Sequence, residues 1–119
     1  MHKTQCEVFR TTKCIGKKWT VAILQEIDVH EDTGFNVLFK RLDKITPKIL
    51  SQRLKELEEQ GIIQKKSSAN KNVVRTQYCL TKKGKDLYAL VEQIKQWQVQ
   101  YGGAPADCLE RDCATCPLF

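Results

Sequence analysis

ITPKILSQRLKELEEQG, residues Ile45 to Gly61, reads as one helix with both ends marked. Thr46 can accept a hydrogen bond from the first free backbone N–H groups, and Pro47 occupies the first helical position, where a missing donor costs nothing. Gly61 supplies the stop. Leu50, Leu54 and Leu57, spaced by four and three, form one narrow apolar stripe. Lys48, Ser51, Gln52 and Lys55 fall on the opposite face, with Thr46 at its start and Arg53 flanking it. A face that offers hydroxyls, an amide and cations can enter a DNA major groove, where Lys and Gln read base edges or grip phosphates. The same residues also suit the solvated side of an ordinary amphipathic helix, so the flanking segments decide.

Upstream, Phe35 to Lys44 (FNVLFKRLDK) sets Phe35, Leu38, Phe39 and Leu42 on one side and Lys40, Arg41 and Lys44 on the other. Only Ile45, Thr46 and Pro47 separate this short helix from the next. Two helices joined so tightly, the second with a polar outer face, predict a helix-turn-helix. Downstream of Gly61 the period changes. Ile62 to Lys66 is β-prone, Ser67 to Asn72 (SSANKN) reads as a turn-rich loop, and Val73 to Leu80 (VVRTQYCL) is rich in β-branched and aromatic residues. A hairpin directly after a recognition helix is a wing. Lys65, Lys66, Lys71 and Arg75 on or beside it are expected to meet backbone phosphate or the minor groove.

At the chain's ends, Thr4 to Cys14 predicts a short helix broken at Gly16, and Trp19 to Val29 a helix with a wide buried face. His30 to Gly34 is a turn, in which His30 reads as a loop residue rather than a ligand. Thr81 caps a last helix running to about Tyr101. Its Leu87, Leu90, Ile94, Trp97 and Tyr101 step by three, four, three and four, a heptad seam expected to be a dimer interface. The fold expected is therefore mainly α with a small β-hairpin, a winged helix-turn-helix dimerising through its N- and C-terminal helices. Residues 1–101 form the DNA-binding and dimerisation domain and 102–119 a cysteine-rich tail.

Length and charge agree with this reading. A chain of 119 residues and 13.7 kDa makes one domain. No apolar run approaches the ~20 residues that span a bilayer, and MHKTQCEVFRTTK lacks the apolar centre of a signal peptide. The expectation is a cytoplasmic protein without a membrane partner. The net charge is +6, and the whole excess lies between Lys40 and Arg75, where ten basic residues face four acidic ones. Such concentration is the footprint of a surface that meets polyphosphate.

These pieces together resemble the HxlR-type winged helix-turn-helix transcriptional regulators, relatives of the MarR type. The matching residues are Cys6; Gly16-Lys17-Lys18-Trp19-Thr20 with Ile23-Leu24 behind it; Gly34-Phe35-Asn36; Leu50-Ser51-Gln52-Arg53-Leu54-Lys55-Glu56-Leu57-Glu58; Gly61-Ile62-Ile63; and Tyr78, Leu80-Thr81 and Gly84-Lys85-Asp86-Leu87. They span roughly residues 6 to 97 in order. The resemblance implies a homodimer that sets two recognition helices about one helical turn apart on a pseudo-palindromic operator, and a regulator rather than an enzyme. It also implies that Cys6 can sense oxidants or electrophiles, as the matching cysteine does in some members. The wing lacks the family's usual proline pair.

Six cysteines in 119 residues need an account in a compartment where disulfides are uncommon. Cys79 reads as a small buried hydrophobe within the wing strand. Cys108, Cys113 and Cys116 follow the spacing C-x4-C-x2-C, suited to zinc or an iron–sulfur cluster if Cys6 or Cys14 supplies a fourth ligand. Disulfides and unreacted thiols are the other outcomes for this set. The expected function is a homodimeric, sequence-specific DNA-binding transcription regulator, redox- or metal-responsive through its cysteines. The rival is a winged-helix protein-interaction module of the transcription machinery that carries a cysteine-ligated metal or iron–sulfur site. An enzyme or electron carrier is disfavoured because no phosphate-cradling glycine motif and no Ser/His/Asp set accompanies the cysteines.

Overall fold

The central helix closes at both ends as its residues dictate. In the computed structural model, which describes residues 6–30, 33–70 and 73–110, it spans Pro47–Glu59 and is α4. Thr46 Oγ1 accepts the Ile49 N–H at 3.1 Å. At the far end Gly61 takes φ +71°, its N–H bonds the Glu58 carbonyl at 2.9 Å, and the Ile62 N–H reaches back to the Leu57 carbonyl at 3.0 Å. That pair of bonds is a Schellman motif, and a left-handed residue at this position is why glycine stands there.

Before α4 come α1 (Glu7–Ile15), α2 (Thr20–Val29) and α3 (Phe35–Arg41); after it come β1 (Ile63–Asn70), β2 (Val73–Leu80), α5 (Lys82–Gln100) and a 3-10 turn at Ala106–Leu109. Leu50, Leu54 and Leu57 are buried in one cluster with Ile23 and Leu24 of α2, Leu38 of α3, Leu42 and Ile62. Each leucine taken out of water contributes about 2 kcal/mol, so α4 is held by its stripe rather than by helix propensity. None of the described helices is long and apolar enough to cross a membrane.

Two boundaries and the exposure of one side chain differ from the sequence expectation. Helix α3 stops at Arg41 rather than Lys44, because the Ile45 N–H turns back to the Leu42 carbonyl at 3.2 Å and drops Ile45 into the core. The same short helix leaves Phe39 exposed beside buried Leu38 and Leu42. In the wing, antiparallel pairing runs from Ile63↔Leu80 out to Asn70↔Val73, so Ser67 to Asn70 are strand where composition reads loop. Val73, Val74 and Thr76 on the facing strand give those polar residues ladder partners, and pairing context outweighs a weak β-propensity. Lys71 and Asn72 lie outside the described residues.

One hydroxyl ties wing, α4 and α5 together. Thr81 Oγ1 accepts the Gly84 N–H at 3.0 Å as the cap of α5 and donates to the Gly61 carbonyl at 2.6 Å. Gly84 itself lies so close to Ile62 that a Cβ there would collide with the Ile62 carbonyl oxygen. On the other side of the hairpin the Tyr78 N–H bonds the carbonyl of buried Thr33 at 2.8 Å, fastening the α2–α3 connection to β2. The wing is thereby anchored at its base to both ends of the helix-turn-helix.

Candidate nucleic-acid interface

With its leucines turned inward, α4 presents Lys48, Ser51, Gln52 and Lys55 as an exposed row, and Thr46 is exposed at the head of it. The row begins at the turn that follows α3, whose Lys40 and Arg41 are also exposed. The arrangement can deliver two ammonium groups, an amide and a hydroxyl to a groove, with the Thr46 hydroxyl already used as a cap acceptor but free to donate.

Arg53 departs from the expected flanking position. Its side chain is only 15% exposed, with Nε donating to the Lys18 carbonyl at 3.2 Å and Nη1 to Glu56 Oε1 at 3.4 Å. Lys17 Nζ lies 3.1 Å from the same Glu56 oxygen. Arg53 is thus a brace between α4 and the α1–α2 joint, because position 53 falls between the leucine stripe and the open row. The joint itself is tight: Trp19 takes φ +81°, a conformation that costs a bulky residue about 1–2 kcal/mol, and Lys18 Nζ sits 5.4 Å from its ring.

The wing cations divide. Lys65 pairs with Glu58 at 3.5 Å and lies over the Tyr78 ring at 6.0 Å, whereas Lys66, opposite Gln77, is exposed on the other face of the ribbon. The backbone of Arg75 pairs opposite Ser68, but its side chain, like all of Lys71, lies outside the described residues. Burial pushes the Tyr78 hydroxyl above its ordinary range, and Lys65 partly offsets this. One group escaped sequence reasoning. Glu26 is buried on α2, its Oε2 3.7 Å from Arg41 Nη1 and 3.3 Å from His30 Nε2, so His30 is a partner of a core carboxylate. Its signal was a carboxylate on the apolar side of α2, one residue before Ile27.

The residues of the expected dimer seam divide by burial. Leu87 is buried within the core, while Leu90, Ile94, Trp97 and Tyr101 are exposed, Trp97 and Tyr101 with ring centroids 5.4 Å apart. Val8 and Phe9 of α1 are exposed as well, and an apolar groove of about 590 Å³ runs between the two helices, lined by Val8, Ile15, Leu90, Ile94 and Trp97.

Of the cysteines, Cys6 is exposed at the start of α1 and Cys108 is half-buried in the 3-10 turn. Cys79 is half-buried rather than fully enclosed, its Sγ 3.8 Å from the Gln64 carbonyl oxygen. Cys14 belongs to the core. Burial raises its thiol above the ordinary range, against a smaller opposing effect of a hydrogen bond with Gln60. Cys113 and Cys116 lie outside the described residues, and among the described residues no group of three or more potential ligands is close enough to hold a metal ion.

Comparison with known proteins gives a consistent result. The HxlR-like helix-turn-helix family description matches residues 14–105. The HTH-type transcriptional regulator YdzF of Bacillus subtilis, itself uncharacterized, is 32% identical over 93 residues, covering 78% of this chain and 84% of that one. Among solved structures, the reduced form of the transcriptional regulator YodB from B. subtilis superposes with a TM-score of 0.71 at 26% identity, covering 82% of this chain and 95% of that one. The redox regulator HypR in its reduced form gives 0.68 at 28% identity, over 88% and 98%. The fold is that of a winged helix-turn-helix.

Proposed function

The chain belongs to the HxlR-like helix-turn-helix family of transcriptional regulators, and from that premise we propose that it is a cytoplasmic, homodimeric, sequence-specific DNA-binding protein that acts by binding rather than catalysis. The observation that carries this reading is the exposed row Lys48, Ser51, Gln52 and Lys55 on the second helix of the helix-turn-helix. Lys and Gln at such positions contact phosphates and base edges. Lys66, with Lys65, Lys71 and Arg75, supplies the wing's phosphate contacts. Dimerisation is supported by the bare apolar seam of α5 and α1, since two seams of this kind placed together remove Leu90, Ile94, Trp97 and Tyr101 from water and set two α4 helices on one side of a duplex.

Cys6 gives this regulator a thiol input. It is exposed, and the similar proteins include HypR, described as a redox regulator. Oxidation there would act on α1, one of the two helices of the seam. The reading is tested by selecting the preferred duplex from random sequence and measuring its affinity against unrelated duplex. Gln52→Ala is expected to lose ~1–3 kcal/mol on the selected site and to relax one base position. Unchanged affinity on both duplexes would remove α4 from the interface. For the thiol input, diamide treatment should weaken binding of the wild type but not of Cys6→Ser.

A further inference from the structure

The brace at Glu56 closes one side of a cavity that DNA recognition does not use. Its volume is about 400 Å³, and it lies between α1 and the C-terminal end of α4, within the range of small-molecule sites, ~300–1,000 Å³. Arg10 and Lys13 line it from one face of α1 and Lys17 from the turn that follows, so three cations border the cavity. Phe9 and Cys14 add apolar surface, and Glu56, Glu59 and Gln60 form the opposite wall.

The charges are unequally engaged. Glu56 is already held by Lys17 and Arg53 through one oxygen. Arg10 has Glu7 at 3.9 Å, the outer edge of ion-pair contact, and Lys13 has no ion-pair partner among the described residues. A ligand entering here meets cations at Arg10 and Lys13 and, deeper, a lysine shared with α4. A molecule with one anionic group can answer one end of the cavity. A molecule with two or more can answer both.

We propose that this cavity binds a small organic polyanion, whose anionic groups are met by Arg10 and Lys13 at one end and by Lys17 at the other. The ligand competes with Glu56 for Lys17. Losing that contact removes one of the two ties, Lys17 to Glu56 and Arg53 to the Lys18 carbonyl, that set α4 against the α1–α2 joint. The effect on DNA rests on the regulator reading above, whereas the binding site does not.

The test uses citrate as probe and the full chain, at constant ionic strength balanced with chloride. Backbone amide shifts are followed by NMR, with duplex affinity measured in parallel. The expected result is saturable shifts at Arg10, Lys13, Lys17 and Glu56, a tenfold or greater weakening of citrate binding in Lys13→Glu, and a lower duplex affinity in wild type with citrate. Glu56→Gln, which keeps the fold but weakens the brace, should start with lower duplex affinity and respond less to citrate. Shifts that do not saturate, that appear equally at Lys66 on the wing, or that survive Lys13→Glu would overturn the site. Saturable binding with unchanged duplex affinity would overturn the competition for Lys17. A chain that binds citrate but no duplex would instead overturn the regulator reading and leave the site standing.

Discussion

Helices α4 and α5 carry the same kind of apolar stripe and meet opposite fates. The stripe of α4, Leu50, Leu54 and Leu57, is no more than 2% exposed, whereas of the α5 heptad positions only Leu87 is covered and Trp97 remains 56% exposed. The difference lies in which face of each helix meets the core. Helix α4 turns its leucine stripe onto the core, whereas α5 turns Leu87, Tyr88, Val91 and Lys95 onto it and leaves Leu90 and Ile94 on the neighbouring, exposed face. A leucine period says that a helix has an apolar side. Whether its own chain covers that side depends on which face the tertiary packing selects.

The comparison breaks most visibly at the level of stability. Leu54→Ala should cost ~2–5 kcal/mol of folding free energy, read as a lower denaturation midpoint, because it opens a cavity in a filled core. Ile94→Glu on α5 should leave folding nearly intact and instead raise the dimer dissociation constant, by about 2 kcal/mol or more, as measured by sedimentation at decreasing concentration. If Ile94→Glu destabilised the monomer as much as Leu54→Ala does, the two stripes would be equivalent and the seam would be core. Thr81→Ala, which removes the cap of α5 and its bond to Gly61, should cost about 1 kcal/mol.

The smallest effect is with pH. Burial raises both Cys14 and Tyr78 above their ordinary values of 9.0 and 10.0. Each therefore holds its proton more tightly folded than unfolded, so their contribution is fully present below the unfolded values and is lost as pH rises from about 9 through the raised folded ones. This contribution should lower denaturant midpoints as the pH rises above about 9. In the same spirit, iodoacetamide at mild pH should label exposed Cys6 well before core Cys14.

Much of this was written in local residues. Thr46, Pro47 and Gly61 marked α4 because caps depend on chemistry within one turn, and Leu50, Leu54 and Leu57 gave its buried side because 3.6-residue periodicity is local too. What escaped was set by partners remote in sequence. Arg53 looked like a groove cation and proved to be a brace because its acceptor, the Lys18 carbonyl, is 35 residues away. Ser67 to Asn70 looked like loop because the strand that pairs them is read separately. Leu87 followed the heptad, yet its place near the start of α5 leaves it over the core. Glu26 could be suspected from a charge among apolar neighbours, but Arg41, which answers it, could not.

The central claim is that the open side of α4 meets DNA while its leucines hold the fold. The direct measurement is fluorescence anisotropy of plain duplex between 50 and 200 mM salt, for wild type and for Lys48→Ala/Lys55→Ala. The account predicts a steep fall in affinity with salt, a logarithmic slope flatter by about two in the double variant, and an unchanged denaturation midpoint. A salt-insensitive affinity, or a double variant that binds as the wild type does, would contradict it.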